Sequence, residues 1–498
     1  MTGQAAETPR SVVIAASFGF AALTGAAAVL GNGNVIATLA PVLVVAGLAC
    51  VCLAPLRVTL LVLTFLGLAV DTPGDAQGLW QSPMAPLGRL LIENLNKSLP
   101  INSLKISLLA IVLVSLLFAL WLRTTSSRRP AFAPRTAANP VMLALLVSVL
   151  TVLGLSLYGL LRGGDLMIIN LQTQRFILTA VLACLLAYSL RGTRDYIALG
   201  AVITLAACIK AGIAIWVRQT IDLPADILEF TTTHGDSMLF TTALAVLLAV
   251  WSDRSRVPHR WIAVPAAAWL LFGIVANARR LAWLQVAFTL LTLFMVTPWT
   301  RGKRTLARAA LLASPLLVIY VAVGWHSTAR VFAPVNLLRS VQDGKSNRST
   351  LDRDIENFNL ITTFSGHPVL GTGFGHPYVE AVKGDDISMA FPEYRYVPHN
   401  SVLGLWAAGG LLGFIGIWAA PIIGLFRAAR CYYRAGTAPE RMAAFAVIAA
   451  VEIYMLQSWG DMGFVEPKAV FLLGAALGVA ARLTPFSSAS VRTLDLAA

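Results

Sequence analysis

Long apolar runs alternate with short polar connections along most of the chain. Most of these runs have the length that an α-helix needs to cross a bilayer, about 20 residues. They lack the two-residue alternation of membrane β-strands. The pattern predicts an all-α fold, a polytopic membrane helix bundle of about 14 transmembrane helices, at residues 11–30, 35–53, 57–70, 105–122, 140–161, 174–190, 196–217, 237–251, 261–278, 281–298, 309–326, 400–426, 441–459 and 468–483.

Composition supports the membrane class. Of the 498 residues, 57% are hydrophobic and 12% are charged, with a mean hydropathy of +0.74, whereas soluble domains carry about 25% charged residues. The net charge of +14 comes from basic residues in short gaps between apolar runs. No basic run is interleaved with aromatic residues, so membrane lipid is the expected surrounding and no nucleic acid is expected as a partner.

The basic gaps also predict orientation. TRDY, SDRSRVPHR, TRGKRTLAR and FRAARCYYRAGTAPER are short loops, which the positive-inside rule assigns to the cytoplasm together with both termini. The first apolar run lacks a strong basic segment before it, so we expect a membrane helix rather than a cleavable signal. Three regions follow: residues 1–326 with eleven spans, a large outer loop at 327–399, and residues 400–498 with three spans and a cytoplasmic tail.

Metal chemistry has little support in the sequence. Four of the five cysteines lie inside apolar runs, and Cys50 and Cys52 are expected to pack there. A structural zinc site needs four ligands, and no cluster has that spacing. We therefore expect no metal and no cofactor.

The large outer loop contains a predicted helix. In LDRDIENFNLITTF, the apolar residues Leu351, Ile355 and Phe358 recur at helical spacing. The Ser-Thr pair before this segment can cap its start, and Gly366 can end it ahead of Pro368. We expect a short amphipathic helix on the outer membrane face.

Two motifs follow that helix. In GHPVLGTGFGHPY, the alternating Gly371, Gly373 and Gly375 predict a tight turn rather than a dinucleotide fingerprint. In PHNSVLGLWAAGGLLG, His399 and Asn400 stand where an apolar helix begins. Asn400 is a good N-cap. His399 is either a helix-start residue or a proton acceptor, since an imidazole with a pKa near 6.5 suits a base at neutral pH.

The order of these features resembles the O-antigen ligase and polymerase superfamily of bacterial membrane glycosyltransferases. The resemblance covers about residues 265–427 and is strongest in HPVLGTGFG and PHNSVLGLWAAGGLLG, with a further match in NARRLAWL. It implies a GT-C-like bundle in the bacterial inner membrane with a periplasmic active site. The donor would be a glycan on undecaprenyl diphosphate, the acceptor a glycan or lipid-linked glycan, and His399 the base.

The resemblance also implies arginines that hold the diphosphate. Arg280, or its neighbour Arg279, matches an arginine at the start of a membrane helix. Arg353 lies 15 residues before Pro368 and matches the loop arginine of the family, with Arg348 as the competing choice. Asn357 stands where the family often has tryptophan, which leaves that choice open. Guanidinium groups suit diphosphate because they stay charged and can bind two oxygens.

Other polar residues receive weaker expectations. His367 and His376 are expected to be turn residues, with His376 supporting the glycine motif. Four loop carboxylates are expected to be solvated, although one could orient His399: Glu380, Asp385, Asp386 and Glu393.

Three further acidic residues and one lysine draw attention in the apolar part of the chain. Lys210 and Glu452 fall inside predicted spans, where Lys210 either reaches outward or meets Glu452. Asp71 and Asp75 form either a turn, DTPGD, or an outer-loop acidic site.

The predicted function is polymerisation of lipid-linked repeat units, O-antigen or exopolysaccharide. A ligase that moves a finished glycan to a lipid A core is the alternative. A flippase for lipid-linked sugars is a weaker hypothesis, because two comparable halves and a cation-lined central path are not apparent in the sequence.

Overall fold

The fold is taken from a computed structural model of the full chain. It describes residues 10–30, 53–72, 82–95, 106–126, 139–220, 231–252, 260–299, 301–327, 348–389 and 391–483, together with isolated positions between 39 and 50 and between 332 and 339.

The described residues form fifteen α-helices. One 3₁₀ turn lies at Arg260–Ile262, and the described part of the chain has a single isolated bridge, Asn94 to Ser107, but no β-strand. The helices are α1 Arg10–Leu30, α2 Leu56–Ala69, α3 Ala85–Ile92, α4 Leu108–Ser126, α5 Pro140–Leu161, α6 Leu166–Ser189, α7 Thr193–Thr220, α8 His234–Ser252, α9 Ala263–Asn277, α10 Arg280–Val296, α11 Arg301–Gly324, α12 Arg348–Gly366, α13 Ser401–Arg434, α14 Ala438–Gly460 and α15 Pro467–Arg482.

The helices confirm a multi-pass membrane bundle. Within the described ranges, seven helices are long and apolar enough to cross a membrane: α5, α6, α7, α8, α11, α13 and α14. Shorter apolar helices include α2, α9 and α10. The predicted span at 35–53 lies mostly outside the described residues, and the count of fourteen and the GT-C-like arrangement stay predictions.

Local sequence explains where helices begin. α6 starts eight residues earlier than predicted, because Asp165 caps it by accepting hydrogen bonds from the Met167 and Ile168 amides at 2.7 and 3.1 Å. α14 begins with a capping box between Thr437 and Glu440. α15 packs along α6, while α13 packs between α5 and α14.

One end of the bundle gathers the polar connections that matter for chemistry. The starts of α6, α8, α10, α13 and α15 meet there with the ends of α5, α9 and α14. The basic loops between α6 and α7, α10 and α11, and α13 and α14 lie at the opposite helix ends. This internal arrangement agrees with the predicted alternation of the spans.

The helix α12 is amphipathic, with polar residues toward the protein and apolar residues toward the outside. Its buried face is largely polar, with Glu356, Asn359 and Thr363 beside Leu360, whereas Leu351 and Phe358 are exposed. Such an outward apolar stripe is what a helix needs to contact the headgroup and acyl boundary. The helix ends at Gly366 as predicted but begins at Arg348, so the Ser-Thr pair lies inside it and the predicted cap is wrong.

Buried ions hold several helices together. Lys210 on α7 contacts Asp71 after α2 and, at 3.4 Å, Asp236 on α8. Lys468 on α15 also contacts Asp236. A buried charge inside a membrane bundle is normally paired in this way.

Both alternatives predicted for Lys210, reaching outward and meeting Glu452, are therefore wrong, since its side chain is fully buried. Glu452 instead accepts a hydrogen bond from Thr292 at 2.8 Å. Asp71 is fully buried against Lys210, and Asp75 lies outside the described residues, so the DTPGD turn and the acidic site both stay predictions.

Candidate functional site

A polar cavity of about 390 Å³ opens between α12 and the segment that precedes α13. Its volume is within the range of small-ligand sites. Burial raises the pKa of its Tyr378, and the charges of Glu356 and Glu380 raise it further, so this hydroxyl stays neutral. The polar lining residues are Asp352, Arg353, Glu356, Asn359, Tyr378, Glu380, Asp385, Tyr394 and His399.

His399 faces this cavity with a carboxylate behind it. Glu356 Oε2 accepts the His399 backbone N–H at 3.0 Å, and Glu356 Oε1 lies 3.4 Å from His399 Nδ1. Burial alone lowers the pKa of His399, but the hydrogen bond and the charge of Glu356 outweigh it, so the pKa is raised. With Nδ1 directed to Glu356, Nε2 is the nitrogen left for a ligand.

The carboxylate that orients His399 thus comes from α12. The sequence offered four carboxylates of the following loop for this role, and the structure gives it to Glu356 instead. Asp385 and Asp386 are exposed, as expected, whereas Glu380 pairs with Arg395 at 2.8 Å.

Arg353 lies in the same cavity. Its Nη1 donates to the Gly460 carbonyl at 3.3 Å, at the end of α14, and its charge acts on both His399 and Asp461. Arg348 is the first residue of α12, and its side chain lies outside the described residues. Arg353 is therefore the loop arginine that the structure brings to His399.

The two helix-start arginines have different surroundings. Arg279 is 2% exposed, and its Nε donates to the Thr232 carbonyl at 3.0 Å while Nη1 contacts His234. Arg280 begins α10 and is exposed. Its neighbour Leu281 approaches Gly460, the residue whose carbonyl accepts from Arg353. Arg280 is thus exposed at the start of α10, whereas Arg279 is buried and engaged by protein groups.

Arg279 belongs to a cluster of polar side chains with His234 and Asp461. His234 Nδ1 contacts the Asp461 carboxylate, and its Nε2 contacts Arg279. Burial alone raises the pKa of Asp461, but its contact with His234 outweighs this and the pKa is lowered, so Asp461 is ionised. The Asp461 carbonyl accepts from Ser401 Oγ at 3.2 Å, two residues after His399.

The glycine motif docks into a break in α13. At Gly410 the backbone leaves helical geometry, with φ 58° and ψ −162°. The Thr372 and Gly373 amides donate to the freed Ala407 and Ala408 carbonyls at 3.0 and 2.8 Å. The Leu411 and Leu412 amides donate in turn to the carbonyls of Pro368 and Val369 at 2.8 and 3.1 Å.

The glycines are required by this close approach. Gly371, Gly373 and Gly375 all have positive φ, and a Cβ on Gly373 would come within 2.7 Å of the Gly159 backbone. The predicted tight turn is confirmed. The AAGG sequence at the break was its local signal, but the break itself was not predicted.

Two further predicted residues have structural roles at this end of the bundle. His376 Nε2 lies 3.1 Å from the Gly159 carbonyl and ties the motif to α5. Asn400 Oδ1 accepts the Leu403 amide at 3.1 Å, which confirms it as the N-cap of α13.

Residues 265–418 match a family model described as O-antigen ligase. Over this segment, the match supports the O-antigen ligase and polymerase superfamily. The matched segment runs from α9 through the first half of α13 and includes His399, Arg280, Arg353 and the glycine motif. No curated protein matches the chain.

Three groups at the site were missed by the sequence analysis. Glu356 was treated as one polar position of an amphipathic helix, and His234 and Asp461 lie outside the matched segment. Only the fold brings them to His399, since Asp461 is 62 and His234 is 165 positions away along the chain.

Proposed function

We propose that this O-antigen ligase superfamily member polymerises undecaprenyl-diphosphate-linked oligosaccharide repeat units. The observation that carries the proposal is the pairing of His399 with Glu356 beside a cavity that also holds Arg353. Such an imidazole–carboxylate pair suits removal of a proton from a hydroxyl.

The proposed reaction is a single displacement. His399 Nε2 takes the proton of an acceptor sugar hydroxyl, whose oxygen attacks the anomeric carbon of the donor. The bond between that carbon and the diphosphate oxygen breaks, and the lipid diphosphate leaves with the electron pair. Glu356 holds the ring in the required tautomer and stabilises the imidazolium that forms.

The cations serve the leaving group. In this proposal Arg353 and Arg280 bind the diphosphate oxygens as negative charge develops there. Loss of one such contact costs about 2–4 kcal/mol in the transition state. Arg279 keeps His234 and Asp461 in place rather than contacting substrate. Because guanidinium groups supply the positive charge, the proposed reaction uses no divalent metal and no cofactor.

We place the reaction at the periplasmic face of the bacterial inner membrane, with both termini in the cytoplasm. The basic loops at the opposite helix ends support this orientation. This orientation is tested with a cysteine introduced at Ser388, in the exposed part of the outer loop. An impermeant thiol reagent should label that cysteine from outside the cell. Protection of that cysteine in intact spheroplasts refutes the periplasmic assignment.

A ligase is the second candidate, favoured by the description of the matching family. Both reactions use the same chemistry and differ in the acceptor. Deletion of the gene separates them on a gel of surface glycans. Loss of the long-chain ladder with single units still on the core indicates a polymerase, and loss of all core attachment indicates a ligase.

The chemistry itself is tested with purified protein. The protein should consume an undecaprenyl-diphosphate glycan without added divalent metal, and His399→Ala should lose turnover while keeping its thermal unfolding temperature. Full activity of a folded His399→Ala protein refutes the base assignment.

A further inference from the structure

A second cavity, of about 310 Å³, lies on the other side of the segment that carries His399. We call it the Arg175 cavity. Glu393 contributes to its wall, while the next residue, Tyr394, contributes to the wall of the His399 cavity. The two cavities therefore border the same segment of the chain, at residues 393 and 394. The polar residues of the Arg175 cavity are Thr72, Glu93, Asn94, Asn170, Gln174, Arg175 and Glu393.

Arg175 is unusual among the buried cations of the described bundle. Lys210 and Lys468 contact carboxylates, and Arg279 contacts His234 and a carbonyl. Arg175 Nη1 is buried and has no hydrogen-bond partner. The charge of Glu466 acts on Arg175, but the Glu466 carboxylate accepts from the Lys468 amide at 3.4 Å and forms no ion pair with Arg175 among the described residues.

An unpaired guanidinium in a membrane bundle is costly. Arg175 lies on α6 ten residues from its outer end, about 15 Å along the helix axis. A ligand that supplies one negative charge there would offset this cost, because a carboxylate can accept two parallel hydrogen bonds from a guanidinium.

The rest of the cavity indicates what else the ligand carries. The amides of Asn94, Asn170 and Gln174 can each donate and accept, as sugar hydroxyls require. Glu93 and Glu393 can accept hydrogen bonds from further hydroxyls, and Arg175 is the cation of this lining. The lining thus fits a sugar with a single carboxylate.

We propose that the Arg175 cavity is a saccharide subsite that binds an acidic sugar, a uronic acid residue of the glycan. This inference rests on the proposed function, since it makes the cavity an extension of the His399 site for sugars remote from the reacting hydroxyl. Gln172, one helical turn before Arg175, ties α6 to the segment before His399 and to the glycine motif. Its Nε2 donates to the Tyr396 carbonyl at 2.7 Å, and its Oε1 accepts the Gly375 amide at 2.8 Å.

The test is binding of D-glucuronate to the full-length protein in detergent, with D-glucose as the neutral probe. Saturation-transfer NMR gives the dissociation constant, and thermal unfolding gives the stabilisation by ligand. We expect glucuronate to bind at least tenfold more tightly than glucose. Arg175→Met should weaken the binding of glucuronate at least tenfold and leave the binding of glucose unchanged. Arg175→Lys should retain part of the preference for glucuronate over glucose. The control is Arg218→Met, an exposed arginine in the last turn of α7, which should bind normally.

Stability separates this proposal from a purely structural role. Because Arg175 has no hydrogen-bond or ion-pair partner among the described residues, Arg175→Met without ligand should unfold at the same temperature as the parent protein or higher. A fall of several degrees would mean that Arg175 holds the fold, and would overturn the proposal. If Arg175→Met does not fold, Asn170→Ala and Gln174→Ala provide the test. Both changes should weaken the binding of glucuronate and the binding of glucose to the same extent.

Two other outcomes also overturn the proposal. One is equal binding of glucuronate by the parent protein and Arg175→Met. The other is a higher thermal unfolding temperature in nanodiscs that contain anionic phosphatidylglycerol, with no such rise on adding glucuronate. That result would identify a lipid headgroup as the occupant. His399→Ala should bind glucuronate normally, since binding needs no transfer, so failure of the proposed reaction and failure of this subsite remain distinguishable.

Discussion

Replacing Glu356 by glutamine tests how the carboxylate acts on His399. The change keeps the side-chain shape and an oxygen that can accept from Nδ1, but removes the negative charge 3.4 Å away. A unit charge at that distance contributes about 5 kcal/mol at an effective dielectric of 20 and about 1 kcal/mol in bulk water. Because the His399 side chain is 32% exposed, we expect a value near the lower end, about 1–2 kcal/mol.

The sign follows from which form of His399 the charge favours. Glu356 stabilises the imidazolium and raises the pKa of His399, so activity that needs the neutral base is lost as pH falls through this raised pKa. In Glu356→Gln that support is gone and the pKa falls. The acid limb of kcat/KM should therefore move to lower pH by about one unit, since 1.4 kcal/mol corresponds to one pH unit.

The assay is release of undecaprenyl diphosphate by purified protein, measured as kcat/KM across pH 5 to 9. Glu380→Gln is the matched control, because Glu380 lines the same cavity but pairs with Arg395. It should move the acid limb far less. An acid limb that stays in place in Glu356→Gln, or moves to higher pH, would refute the assignment of His399 as the base oriented by Glu356.

Three further predictions concern other parts of the molecule. Gly410→Ala should destabilise the protein by about 1–3 kcal/mol in thermal unfolding, because a Cβ there would lie 2.4 Å from the Val369 carbonyl carbon; Gly154→Ala, with open space around it, is the control. Lys210→Met should cost about 3–5 kcal/mol by leaving Asp71 buried without its cation, and the double change with Asp71→Leu should recover part of this; strictly additive losses would contradict the pairing. Activity should persist in EDTA, and loss that Mg²⁺ restores would argue against reliance on arginines alone.

Much of the bundle could be predicted because lipid imposes one simple rule on the chain. A span must be a continuous apolar helix, so the boundaries of α5 agree with prediction to the residue. The predicted start of α6 was eight residues too late for a physical reason. The first turns of this helix face protein cavities rather than lipid and carry the polar residues Asn170, Gln172, Gln174 and Arg175. Hydropathy alone cannot recognise such a segment as part of a span.

The site was predictable only where it is local. The histidine, the N-cap asparagine and the glycines stand in two short motifs, whereas Glu356 reaches His399 from a different helix. The polar inward face of α12 reversed the usual expectation that an amphipathic helix buries its apolar side. That expectation does not apply to a helix at the membrane surface, because its apolar side can contact the acyl chains of the lipid.

That reversal connects the fold to the proposed chemistry. Since Leu351 and Phe358 face outward, α12 is suited to lie at the boundary between headgroups and acyl chains, where a lipid-borne diphosphate is held. The same helix carries Glu356 on its inward face and Arg353 beside the cavity. A helix anchored at that depth by its apolar stripe would therefore hold the group that orients the base and a cation for the leaving group at the level of the phosphates. Replacing Phe358 by lysine should then lower turnover of the lipid-linked donor without changing the pH dependence set by Glu356, and a changed acid limb with unchanged turnover would contradict this account.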